Sequence, residues 1–216
     1  YDEAYVTLLN NKNENYLKGV LALAKSIRKI DNNKRDIICM VTPNVPEIWI
    51  ENYLAPNEII IKKVEPVREF WWSECEYYSN KDKQERWGHM MTKLLLWTLP
   101  YKRIMYMDPD SVLLKSLSTI DVKHNFMAQP GKNHPYFNAG VMILHPNNNT
   151  YKNLLHRGQS SHPNLYNNVI DCTEQALLNT MFQNFSILPV MRPDDKEFST
   201  KDVAIHWITK KCPKPW

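Results

Sequence analysis

Two carboxylates one residue apart, Asp108 and Asp110, close the run Ile104-Met-Tyr-Met-Asp-Pro-Asp110. In an extended backbone residues i and i+2 face the same side, so both acids converge at the end of a predicted strand. Hard oxygen ligands in that arrangement suit Mg²⁺ or Mn²⁺, which keep open positions for substrate phosphates. Pro109 holds its own φ at about −65° and stiffens the pair. A solvated turn with two acids has the same tripeptide, so spacing alone does not decide. Glycine usage bears on the same question. The five glycines, Gly19, Gly88, Gly131, Gly140 and Gly158, spell neither G-x-G-x-x-G nor a P-loop. A fold that handles a diphosphate without such a backbone cradle needs positive charge from elsewhere, and a divalent cation supplies it.

The elements that must position these acids follow from periodicity. Tyr5–Leu9 reads as a buried strand, and residues 16–30 place Leu17, Val20, Leu21, Ala24 and Ile27 at helical spacing. Lys25, Arg28 and Lys29 load the end of that helix with the charge its dipole favours. Residues 36–42 predict a second strand, Pro46 opens a helix to about Leu54, and residues 58–64 predict a third strand. This alternation argues for a mainly parallel, doubly wound sheet. Residues 66–86 lack a clear period and read as a mobile or insertion-like segment. Residues 90–99 predict a helix, 103–107 the strand before the acids, 125–129 and 140–144 two further strands, 171–184 a helix and 203–208 a closing strand. The order Asp108-Pro-Asp110-Ser-Val112 also fits the phosphatase-like motif of the haloacid dehalogenase superfamily, with Asp108 as nucleophile and Asp194-Asp195 as the late acidic pair. That motif normally sits on the first strand, whereas here a full strand–helix series precedes it, which ranks the phosphatase reading well behind.

Composition narrows the partners. Of 216 residues 43% are hydrophobic and 23% charged, ordinary for a globular domain. The formal charge of +4 is too mild and too evenly spread for a nucleic-acid partner, but it tolerates an anionic small molecule. No apolar stretch approaches the length of a membrane span. Cys39, Cys75, Cys172 and Cys212 form no C-x-x-C pair, which fits a reducing, cytoplasmic setting. The chain begins at Tyr1 rather than Met, which leaves an upstream targeting segment open.

Several blocks, in order, resemble glycosyltransferase family 8, most closely its glycogenin-like members. They are Tyr5-Val-Thr-Leu8 with Asn10, Asn11 and Tyr16-Leu-Lys-Gly19; Thr92-Lys-Leu-Leu-Leu-Trp97; Tyr106-Met-Asp-Pro-Asp-Ser-Val-Leu113; and Tyr136-Phe-Asn-Ala-Gly-Val141. Glu174-Gln-Ala-Leu-Leu-Asn179, His206-Trp207 and Lys214-Pro-Trp216 complete the series. Each block alone is weak, and their order is the specific signal.

The resemblance implies a GT-A fold: one Rossmann-like α/β domain over 1–216, with 1–107 holding the nucleotide and 108–216 contributing metal, sugar and acceptor contacts. It implies a UDP-sugar donor, Mn²⁺ with Mg²⁺ as the alternative, retention of anomeric configuration, and glucose as the first hexose to try. Asp108, Asp110 and His206 would hold the metal. Leu8, Asn10, Asn11 and Tyr16 would line the uracil and ribose, while Arg86, Lys93 and Lys214 would meet the donor's charge. Pro109, Asn138 and Ala139 would complete the donor site, and Asp171, Glu174 and Gln175 would surround the transferring sugar as the catalytic set. On their own terms these residues read more plainly. His206 on an apolar strand is a core histidine, Lys93 and Lys214 are surface lysines, and Asp171 with Glu174 is an acid pair at a helix start. The chain departs from the family at Glu174, where aspartate is usual, and at Ala176, where glycine is usual. The stretch between His206 and Lys214 is two residues longer and lacks the customary glycine. These departures motivate a non-catalytic UDP-sugar-binding module as the alternative. Residues 189–203 contain no tyrosine, so self-glucosylation does not carry over. The acceptor, glycan or protein, is unassigned, and a homodimer is left open.

Overall fold

Apolar side chains along the inner strands alternate between two faces of a sheet, and both faces are covered. Tyr5, Ile37, Cys39, Val41, Met105, Met107 and Ile143 pack into one buried cluster. Their neighbours Ala4, Val6, Ile38, Met40, Ile104, Tyr106 and Met142 pack into another. Strands buried on both sides read as continuous apolar runs, which is why Tyr5–Leu9 and Arg103–Met107 were legible. The computed structural model describes residues 1–67, 89–121, 125–131, 136–160, 173–194, 199–208 and 214. Most of the insertion-like segment expected at 66–86 lies outside the described residues.

The strands are β1 (Glu3–Leu9), β2 (Asp36–Val41), β3 (Ile60–Lys63), β4 (Arg103–Met107), β5 (Ser111–Leu113), β6 (Phe126–Pro130), β7 (Phe137–Leu144), β8 (Ser186–Ile187), β9 (Val190–Met191) and β10 (Ala204–His206). Seven form a sheet in the order β3-β2-β1-β4-β7-β6-β8. Only β7 runs against its neighbours; the other described pairings, β1 with β2 and β4, β2 with β3 and β6 with β8, are parallel. The sheet is mostly parallel, as expected. β5, β10 and β9 form a second, small sheet.

Helix α1 (Glu14–Asp31) covers one face with Leu17, Val20, Leu23, Ala24 and Ile27. It starts at Asn13, whose side chain accepts the Asn15 N–H, and stops at Asn32 in the left-handed region at φ 53°. Asparagine tolerates that conformation better than other non-glycine residues. The helical stretch opened by Pro46 runs α-wound at Glu47–Trp49, π-wound at Ile50–Leu54 and 3₁₀-wound at Ala55–Asn57. On the other face lie a 3₁₀ helix (Met90–Thr98), α2 (Asn148–Ser160) and α3 (Glu174–Met181). Three residues per turn align Met91, Leu94 and Trp97 toward the core, and all three are buried. Trp97, Phe182 and Phe126 stack, with centroids 5.5 Å apart for Trp97–Phe182 and 4.2 Å for Phe126–Phe182, tying this helix and the end of α3 to β6. Helix α2 was not anticipated. Asn147 starts it, its Oδ1 accepting the N–H groups of Asn149 and Thr150. The last expected helix, 171–184, is described from Glu174 to Met181. Cys39 is free and buried. No helix among the described residues is long and apolar enough to cross a membrane.

Candidate functional site

The strand order reverses between β1 and β4, since chain succession runs outward from β1 through β2 and β3 and resumes on its other side. Open α/β sheets bind ligands in the crevice at the carboxyl ends of strands at such a point. Asp108, the residue after β4, lies there, and its backbone N–H donates to the Gly140 carbonyl at 2.7 Å. After Asp110 the chain returns at once as β5, and β5 pairs antiparallel with β10 in a register that sets His206 opposite Ser111. The Trp207 N–H donates to the Asp110 carbonyl at 2.9 Å. A short local pairing thus brings a histidine nearly one hundred residues away beside the two acids.

Ligand atoms of Asp108, Asp110 and His206 all lie within 4.8 Å of one another. His206 Nε2 is 3.3 Å from Asp110 Oδ1 and 3.7 Å from Asp108 Oδ2. Two carboxylates and an imidazole form a mixed oxygen–nitrogen set that fits Mn²⁺ and is compatible with Mg²⁺. Close approach is possible only because residue 140 is glycine. A Cβ there would sit 2.0 Å from His206 Cε1 and 2.8 Å from Asp108 Oδ2. The β7 strand bulges at this place. Ala128 pairs with Met142, but the next β6 residue, Gln129, pairs with Asn138, so Ala139, Gly140 and Val141 face no β6 partner. Bulges of this kind re-aim side chains beside active sites.

Charge is layered around the trio. Lys93, read from sequence as a surface lysine, is 1% exposed. Its Nζ is 2.8 Å from Glu174 Oε1 and 3.1 Å from Asp108 Oδ1, and it lies 5.1 Å from the Tyr106 ring centroid. Burial alone would lower its pKa, but the Asp108 and Glu174 carboxylates outweigh burial and raise it, so the ammonium persists. The Tyr106 hydroxyl donates to Asp108 Oδ1 at 2.6 Å. Burial and the Asp108 charge push that phenol well above its ordinary range, so it remains a donor. Burial raises the Asp110 carboxyl, yet hydrogen bonds and charge from His206 and Lys214 prevail and hold it at about 2. Lys214 Nζ reaches Asp110 Oδ2 at 2.8 Å and stands 5.2 Å from the Tyr16 ring centroid.

Asn10, Asn11 and Tyr16 lie just beyond β1. Asn10 accepts from Asn11 Nδ2 at 2.9 Å and contacts Met90 Sδ at 3.7 Å, joining the β1 end to the 3₁₀ helix. Leu8 is buried, and its side chain packs in the core. Pro109 is buried between the two acids. Asn138 Oδ1 accepts the Gly140 N–H at 2.9 Å, and Gln175 Oε1 accepts the Ala139 N–H at 3.0 Å. Asn179, one turn further along α3, accepts the Phe137 N–H at 2.8 Å and donates to the Phe137 carbonyl at 3.0 Å. Together Gln175 and Asn179 clamp α3 onto the start of β7. Arg86 and Asp171 lie outside the described residues. Sequence reasoning missed Gln129, which contacts His206, and the roles of Tyr106 and Asn179. The signal for Gln129 was present as a single amide in the apolar run Phe126-Met-Ala-Gln129.

The model of glycosyl transferase family 8 matches residues 8–216. Glycogenin-1 of Oryctolagus cuniculus is 26% identical over 234 residues, covering 100% of this chain and 66% of its own length. A putative UDP-glucuronate:xylan alpha-glucuronosyltransferase 5 of Arabidopsis thaliana is 28% identical over 153 residues, covering 70% of this chain and 25% of its own length. The chain thus spans less than two thirds of either relative. Among solved structures, the galactosyltransferase LgtC in complex with donor and acceptor sugar analogs superposes with a TM-score of 0.68 at 13% identity, over 96% of this chain and 87% of that one. At that identity the likeness establishes the fold, which is GT-A.

Proposed function

The chain belongs to glycosyl transferase family 8, and from that premise we propose that it moves a hexose, glucose first among those to try, from a UDP-sugar to an acceptor hydroxyl with retention of configuration. The observation that carries this reading is the meeting of Asp108, Asp110 and His206 at the switch point of the sheet. The name of the Arabidopsis relative specifies UDP-glucuronate, which supports UDP as the nucleotide. A divalent cation held by the trio, Mn²⁺ before Mg²⁺, would neutralise the diphosphate and stabilise it as a leaving group.

The chain's own groups prepare the rest. Asn10, Asn11 and Tyr16 stand where a nucleoside would lie beyond β1, and Lys214 links Tyr16 to Asp110. On this reading Lys214 supplies a second positive charge between nucleoside and metal, suited to a phosphate oxygen. Lys93 keeps a buried cation behind Asp108 and fixes that carboxylate from the side away from His206. Glu174 is buried and its carboxylate is engaged by Lys93, so it presents no free nucleophile to the sugar. This favours an oxocarbenium-like transfer over a covalent intermediate on that residue. In the transfer the C1–O bond to the diphosphate breaks, the acceptor oxygen bonds to C1, and the acceptor proton leaves with a phosphate oxygen. Asn138, Ala139 and Gln175 form the wall nearest the transferring sugar, with Asp171 and Arg86 proposed to join them. The phosphatase reading of Asp108 is set aside, because Tyr106 and Lys93 hold one oxygen and the other faces His206.

UDP release from UDP-glucose and UDP-galactose, with Mn²⁺ and with a chelator, tests the proposal. We expect Mn²⁺-dependent release that falls by about 100-fold or more in Asp108→Ala. Release indifferent to both the chelator and the substitution would falsify it. Mn²⁺-dependent UDP binding by calorimetry with no turnover of any donor, even into water, selects the binding-module alternative that Glu174 and Ala176 motivate.

A further inference from the structure

We propose that Gln129 is a positioning residue that fixes which imidazole nitrogen of His206 faces Asp108 and Asp110, and thereby sets the affinity of this site for its cation. The inference rests on reading those three residues as metal ligands. Gln129 is 0% exposed, and its Oε1 lies 2.8 Å from His206 Nδ1. Its Nε2 is buried and has no hydrogen-bond partner among the described residues.

The geometry supplies that role. A metal-bound neutral imidazole has one lone pair for the ion and one N–H, and an acceptor on the N–H side decides which nitrogen does which. With Nδ1–H donating to Gln129, the lone pair of Nε2 is turned to the acids, 3.3 Å from Asp110. The reverse orientation of the amide would place a donor against Nδ1, which carries the proton whenever Nε2 holds the ion. Gln129 owes its aim to the break in β6–β7 pairing, where it lies opposite Asn138 instead of continuing the earlier register. Gly140 lies within the same break and leaves room for the ring. Gln129 and Gly140 therefore both act at the Nδ1–Cε1 edge of His206, one by a hydrogen bond and the other by clearance. Partners of this kind beyond the ligands change metal affinity by about 10–100-fold.

Mn²⁺ binding measured by EPR, from loss of the free-ion signal, separates the outcomes. The parent protein should bind Mn²⁺ and D108N/D110N should not; a parent that does not bind overturns the metal-site reading itself. Given binding by the parent, Gln129→Met keeps the volume and removes the acceptor, and should weaken Mn²⁺ by about tenfold or more. Gln129→Glu keeps an acceptor oxygen at the same reach and should bind far more tightly than Gln129→Met. Equal affinity in Gln129→Met and parent, or equal losses in both variants, overturns the proposal while leaving the metal site standing. A long-range ¹H–¹⁵N spectrum of the parent's imidazoles gives a reading that needs no variant. We expect the His206 proton on Nδ1, protected from solvent exchange; a proton on Nε2 and not on Nδ1 overturns the proposal.

Discussion

A methyl group on residue 140 would stand 2.0 Å from the ring of His206, so Gly140→Ala forces either the ring or β7 to move. Overpacking of this kind costs about 1–3 kcal/mol. Taken from the cation, that is roughly a tenfold or greater loss of Mn²⁺ affinity. Calorimetry on Gly140→Ala should show this loss; unchanged affinity together with an unchanged melting temperature would mean that the trio does not depend on the clearance. Asp110 offers a test by pH. Its folded pKa is held at about 2, below the ordinary 3.8 of an aspartate, by hydrogen bonds and charge from His206 and Lys214. A depressed carboxyl stabilises the fold above its unfolded pKa and loses that contribution as pH falls toward the folded value. The metal-free parent should therefore exceed Asp110→Asn in stability by about 2 kcal/mol at pH 5, with the gap closing toward pH 2. A gap that grows on acidification would contradict the ion pairs drawn at this residue.

The elements divide into those whose sequence pattern reflects one local cause and those set by distant partners. The strands Glu3–Leu9, Asp36–Val41 and Arg103–Met107 and the helix Glu14–Asp31 were legible, because burial on two faces or one stripe shows as periodicity. Helix α2 was missed although Asn147 caps it and Tyr151, Leu154 and Leu155 share one face; a polar surface with Asn and Lys obscured that stripe. The early start of β7 at Phe137 was missed because its first residues are held by Asn179 and Gln175 of α3 rather than by an apolar pattern. Lys93 was legible only through resemblance, since nothing local distinguishes a buried lysine from a solvated one. Its surroundings make a quantitative claim. Removing one partner from a buried ion pair costs about 3–5 kcal/mol, because the other charge is left uncompensated. Lys93→Met should lose about that much stability by denaturant unfolding, and adding Glu174→Gln should restore at least about 1 kcal/mol. Strictly additive losses would show that Lys93 and Glu174 do not act as a pair.

At the scale of the molecule, a mostly parallel sheet delivers one acid pair to its switch point, and a separate three-stranded sheet delivers the histidine. The acids and their strand context could be read from residues alone. The histidine could not, because its partner strand is three residues long and its register is invisible in sequence. Convergence of these two sheets on one cation is the claim on which donor binding, leaving-group stabilisation and the role of Gln129 all depend. Anomalous scattering at the manganese edge, from crystals grown with Mn²⁺ and UDP, tests it most directly. One strong peak is expected, bonded to Asp108, Asp110 and His206 and to the UDP diphosphate; a peak elsewhere, or UDP bound with no peak among those three side chains, would overturn the claim.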